Sequence, residues 1–275
     1  MRLNHHLKQN SHGGAEQGSA LIPVLFVLLI ITVLGLMAMR QGLVNLNIST
    51  NAQVRQLLVQ SADAPLNQYA TLDVSQPSNV SMATVLGAAL DASNLGREFV
   101  FCYKSTSSQK FGLMYNANTI QANPSATAGT NTSTVIDSSG SGFCDPTADF
   151  SSGRKAVVTQ VSVLQPTDES TAAAGSYLAR DSSVGGGDAA PRGYTQKQRF
   201  RVISTSFLPG MATGAISTSS ASTNCLQGRI SDNSDPANAG LETVTDCLAR
   251  NGVPVNTQVQ EYGLTSSLTQ TTDIN

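Results

Sequence analysis

Cys102, Cys144, Cys225 and Cys247 have the widest chemical reach in this chain, since a thiol can ligate a metal, attack a substrate or join another as a disulfide. None stands in a Cys-x-x-Cys pair, so the hairpin spacing of a zinc site built from all four is absent. In an oxidising compartment the same residues predict two disulfides. Sequence neighbours suggest Cys102 with Cys144 and Cys225 with Cys247, although four cysteines allow three pairings. Free buried thiols are the expectation only for a cytosolic fold.

The other chemistry-bearing residues are sparse. His5, His6 and His12 are the three histidines, which leaves none beyond the N-terminal stretch for a His-dependent triad or an imidazole metal site. Asp232 and Asp235, in "SDNSDPANAG", resemble part of a calcium loop, but the full ligand spacing and the terminal glutamate are missing, and a solvated turn is the better reading. "GGG" at 185–187 lacks the preceding strand and following helix of a phosphate-binding loop. Arg192, Lys197, Arg199 and Arg201, interleaved with Tyr194 and Phe200, form a modest basic cluster that reads as a solvated strand face rather than a nucleic-acid surface. The residues therefore point to no enzyme, no metal and no cofactor. A formal charge of −2 gives no general attraction for nucleic acid or anionic lipid.

The element that dominates the chain is "GSALIPVLFVLLIITVLGLMAMR", Gly18 to Arg40. Between Glu16 and Arg40 lie 23 residues without an ionisable side chain, and about 20 apolar residues in a helix span a bilayer core. Arg2, Lys8 and the three histidines precede it against the single acid Glu16, which favours a cytoplasmic N-terminus and an outward-facing remainder. A cleaved secretory signal fits less well: "LMAMR" offers Ala38 preceded by Leu36, no small-x-small site follows, and no cysteine follows for lipoprotein processing.

A short basic leader, Gly18, a small residue and an uninterrupted apolar run passing into an amphipathic helix resemble the class III leader of type IV pilins and type II secretion pseudopilins. The residues from Gln17 to Leu66 resemble most the N-terminal region of PilX-type minor pilins. The resemblance implies cleavage between Gly18 and Ser19 by a prepilin peptidase, methylation of Ser19, and a division into leader 1–18, membrane and assembly helix 19–39, amphipathic continuation 40–66 and periplasmic head 67–275. It also implies a second bridge, Cys225 to Cys247, closing a C-terminal loop. Three features depart from the common pattern: a long leader, Gln17 before the glycine, and Ser19 at the mature terminus. A fourth narrows the subfamily, because Pro23 stands at the fifth mature position where ordinary pilins carry glutamate. Proline fits the first turn of a helix, where its missing N–H has no partner to lose; a tolerated kink in an ordinary anchor is the plainer alternative.

After Arg40, Leu43, Leu46, Val54, Leu57, Leu58 and Leu66 recur at helical spacing, which predicts one helix from near Ala20 to near Pro65. Gly35, Gly42, Asn45 and Asn47 lower its propensity midway and would permit bending. Downstream, strands are expected around Phe99 to Lys104, Lys110 to Asn116, "KAVVTQVSVLQ" and "KQRFRVISTSFL", with Val157, Val161 and Val163 sharing a face. "NPSATAGTNTSTVIDSSGSG", "DESTAAAGSYLARDSSVGGGDAAPRG" and "MATGAISTSSASTN" read as exposed loops with too little apolar surface to offset chain entropy. The expected class is α+β, a long N-terminal helix packed on an antiparallel sheet with Ser/Thr/Gly-rich loops. The resemblance implies other minor and major pilins, an inner-membrane assembly platform and a tip adhesin as partners, and a membrane before assembly. A pseudopilin at a secretion pseudopilus tip and a single-pass surface receptor are the alternatives.

Overall fold

A computed structural model of the chain describes residues 21–76, 78–107, 111–127, 129–137, 141–167, 195–212, 214, 216 and 224–267, the side chains of 195–198 and 265–267 excepted. The fold is α+β: a long N-terminal helix, apolar in its first half, packs through its C-terminal part on a six-stranded antiparallel sheet. The chain divides into two units, Met1–Gln53 and Val54–Asn275.

Helix α1, Leu21–Ala70, is continuous through Gly35, Gly42, Asn45 and Asn47. In the first unit its residues are exposed throughout. Thr32 and Thr50 satisfy their hydroxyls within the helix, donating to Leu29 O and Leu46 O at 2.8 Å each. In the second unit, Leu58, Ala62, Pro65, Leu66 and Tyr69 are buried, one face of the helix at spacings of three and four. The helix runs one turn past Pro65, where it was expected to stop. Proline removes only the bond to Ser61 O there, and burial of the ring and of Leu66 and Tyr69 outweighs that loss. Tyr262 Oη donates to Leu66 O at 2.6 Å and Tyr69 Oη to Phe111 O at 2.8 Å, which ties down the last turn. Burial pushes the Tyr262 phenol up to about 12 and Tyr69 higher still, so both remain donors.

The sheet contains β1 (Arg97–Tyr103), β2 (Asn118–Ala122), β3 (Ser133–Asp137), β4 (Val158–Leu164), β5 (Thr195–Phe207) and β6 (Val255–Ser267), ordered β3-β2-β1-β4-β5-β6. β1, β4 and β5 lie where alternation placed them. Residues 111–116, expected to be a strand, instead form a turn and a 3-10 helix at Met114–Asn116. Gly112, at φ 74°, makes that turn, and a Cβ there would lie 2.9 Å from Phe101 and Val85. The partner of β1 on this side is β2, paired Phe99 to Thr119. β3 lies within the first expected loop, and the second expected loop, 168–193, falls outside the described residues.

Side chains alternate across the sheet, so each face has its own core. Phe99, Phe101, Val161, Val163, Phe200 and Val202 meet Leu66, Tyr69 and helix α2 (Val85–Leu90) on one face. Gly87 lets α2 sit close: a Cβ would fall 2.1 Å from Ser81 O. On the other face Val158 and Phe207 pack with Cys144, Cys225, Leu226 and helix α3 (Val244–Arg250). A reciprocal capping box between Thr243 and Asp246 starts α3.

Candidate functional site

Two features of the chain stand outside ordinary core formation: an apolar helix segment with nothing packed on it, and a charged row built across one face of the sheet. From Leu21 to Met39 the only side chains are apolar, small, threonine or proline, and all are exposed. Among the described residues this is the one helix long and apolar enough to cross a membrane. Pro23 is the third described residue of α1. Leu25, Phe26, Leu28 and Leu29 each expose more than half of their surface, an arrangement tolerated only where lipid or another protein surface replaces water. Gly35 and Gly42 share a face seven residues apart, and a Cβ at either would meet nothing within 4 Å. Gly18 and Ser19, the expected cleavage residues, lie outside the described residues.

The charged row starts at Glu98 on β1, which is 5% exposed. Its carboxylate accepts from Ser162 Oγ at 2.9 Å, from Ser231 N–H at 2.9 Å and from Asp232 N–H at 3.2 Å. Burial raises its pKa, and those three donors offset only part of the rise. In the adjoining registers Glu98 faces Leu164, Leu164 faces Arg201, and Arg201 faces Glu261. Arg201 pairs with Asp232 and with Glu261, and Arg199 pairs with Glu261 at 2.8 Å. Burial pushes Asp232 up, yet the bonds from Ser234 and Arg201 and the arginine charge prevail and hold it below the usual carboxylate range. A second network centres on Arg229, fully buried, whose Nε meets Glu242 at 2.7 Å while Arg250 Nε meets the other carboxylate oxygen at 2.7 Å. Burial raises Glu242, but its bonds with Arg250 and Arg229 bring it below its ordinary value.

These contacts settle several sequence expectations. Arg199 and Arg201 are not a solvated basic face but ion-paired members of the row, and Phe200 points into the opposite core. Arg192, Tyr194 and the Lys197 side chain lie outside the described residues, as does "GGG" at 185–187. Asp232 and Asp235 accept from Ser234 N–H and Ala237 N–H as local turn caps. Among the described residues no group of three His, Cys, Asp or Glu side chains is placed to hold a metal. Cys102 is bonded to Cys144 and Cys225 to Cys247, each at 2.02 Å. The first bridge ties β1 to the segment before β4, and the second ties α3 to the chain ahead of it.

Sequence reasoning missed Glu98 and Arg229. For Glu98 the signal was present: in "REFVFCY" it shares strand parity with Val100, which is completely buried. Arg229 sits in irregular chain with no periodicity to read. The chain matches no protein-family model, no curated protein and no solved structure.

Proposed function

We propose that this chain is a PilX-like minor pilin, a membrane-stored subunit that helps initiate or cap a type IV pilus and so supports motility, adhesion or DNA uptake. The observation that carries the reading is the continuity of α1: one helix holds a wholly unburied apolar segment from Leu21 and a C-terminal part seated in the core of a disulfide-bonded head. A subunit stored in the inner membrane needs that segment in lipid, with its N-terminus cytoplasmic and its head periplasmic. On leaving the bilayer it exchanges lipid for the helices of other minor and major pilins, so the apolar surface never enters water. The assembly platform and the prepilin peptidase are the partners this route requires, with a tip adhesin above the head.

Pro23 suggests where the subunit goes. In ordinary pilins the fifth-position glutamate is thought to neutralise the terminal amine of a neighbouring subunit, and a carboxylate in an apolar fibre is costly without such a partner. A subunit with no further pilin helix above its own gains nothing from the acid. Labelled heads are expected at fibre ends, and deletion is expected to lower fibre number more than fibre length when retraction is disabled. Regular labelling along the shaft contradicts the tip placement, and unchanged fibre number contradicts the initiating role.

A further inference from the structure

A cavity of about 790 Å³ opens beside the core on the second face of the sheet, where Cys144 and Ile216 belong both to that core and to the cavity wall. Its volume falls in the range of small-molecule sites, about 300–1,000 Å³. Three short segments build it, and each is held by its own bonds. In residues 143–150, Cys144 is bridged to Cys102, Asp149 pairs with Lys104 at 2.7 Å, and Asp149 N–H donates to Asp145 O at 2.9 Å. Lys155 and Ala156 lie in a turn closed by Ser151 N–H donating to Val157 O at 2.9 Å. In residues 208–212, Leu208 N–H donates to Pro254 O at 3.1 Å and leads into the 3-10 helix Pro209–Met211. The walls are therefore set by the fold itself, as binding cavities usually are.

The lining identifies the chemistry. Phe143, Phe150, Pro146, Pro209, Leu208 and Ile216 make it mainly apolar, and the flat faces of two rings and two prolines suit an aromatic body. Among the described residues only Asp145, Thr147, Lys155 and Gln227 bring polar side chains to the wall. Asp145 is already engaged, accepting from Thr147 N–H at 2.8 Å and Thr147 Oγ at 2.6 Å. Lys155 is exposed and meets no carboxylate among the described residues. It is also the one described non-glycine residue with a positive φ, 49°. That left-handed backbone disfavours a lysine and would suit glycine or asparagine better, so the strain falls on the residue that brings the cation to the wall.

We propose that this cavity binds a small aromatic carboxylate, its ring among Phe143, Phe150 and Pro209 and its carboxylate on Lys155 Nζ. A single ammonium matches a single carboxylate, whereas a phosphate group is met by an arginine fork or several N–H donors. The site lies on the head, and the proposal does not depend on the pilin reading.

The test uses the full chain in detergent micelles and the photolabel 4-benzoylbenzoate, itself an aromatic carboxylate. Peptide mapping should find saturable label in residues 143–156 and 208–212, blocked by 3-phenylpropionate and not by 3-phenylpropylamine. Label in residues 21–39, reached through the micelle, should not saturate. Lys155→Gly removes the ammonium and suits the backbone; it should fold as well as the natural chain and need about tenfold more photolabel for half-saturation, the size of one charge-assisted hydrogen bond. Lys155→Arg should label as the natural chain does. Absence of saturable label in the two segments, equal block by the acid and the amine, or a folded Lys155→Gly that labels like the natural chain overturns the proposal. If Lys155→Gly does not fold, Lys155→Asn, which also tolerates a left-handed backbone, takes its place under the same criterion.

Discussion

Glu98 is a buried carboxyl whose environment in the fold differs from that in the unfolded chain. Its pKa is raised in the fold, so its contribution to stability is full below the unfolded value and is lost as pH rises through the folded one. Asp232 and Glu242 are shifted down, and their contribution is present above the unfolded carboxylate value and lost as pH falls through their folded values. Glu98→Gln keeps an acceptor for the N–H groups of Ser231 and Asp232 and removes the ionisation. Urea unfolding followed by tyrosine fluorescence, with no tryptophan to interfere, should show the natural chain losing stability relative to Glu98→Gln as pH rises above the ordinary carboxylate range. Parallel curves contradict this account. Glu98→Ala leaves buried N–H groups unpaired and should cost about 1–3 kcal/mol for each.

At the scale of elements, the two halves of α1 obey different rules. Leu58 is buried in the head, so Leu58→Ala should lower the head's unfolding free energy by about 2–4 kcal/mol. Leu28 is 53% exposed, and Leu28→Ala should leave that free energy unchanged while weakening membrane retention; equal effects on unfolding contradict the division. The bridges also differ. Cys225 and Cys247 are wholly buried, whereas Cys102 is only half-buried. Mild reductant under native conditions should therefore expose Cys102 and Cys144 to alkylation first, with Cys225 and Cys247 protected until unfolding; peptide mapping in the reverse order contradicts it. Losing either bridge by paired serine substitution should cost about 2–5 kcal/mol.

Strands such as β4, buried on both faces, were legible because apolar residues leave a strong pattern. β6 was not, because "VNTQVQEYG" at an edge needs few apolar side chains, and α2 and α3, at six and seven residues, are too short to show helical periodicity. The apolar half of α1 was plain from charge spacing alone. The end of α1 beyond Pro65 was hidden, since tertiary burial and not local propensity carries the helix past it. Glu98 and Arg229 depend on partners 133 and 13 residues away, which no local pattern encodes.

For the whole molecule, the account makes residues 1–18 a leader removed before the helix enters a fibre and Ser19 the first residue of the working subunit. Bulky substitutions at Gly18 should block that removal. The most direct measurement is N-terminal mass analysis of the chain recovered from assembled fibres, after co-expression with a prepilin peptidase. The account predicts a terminus at N-methylated Ser19. A chain that still begins at Met1 contradicts it.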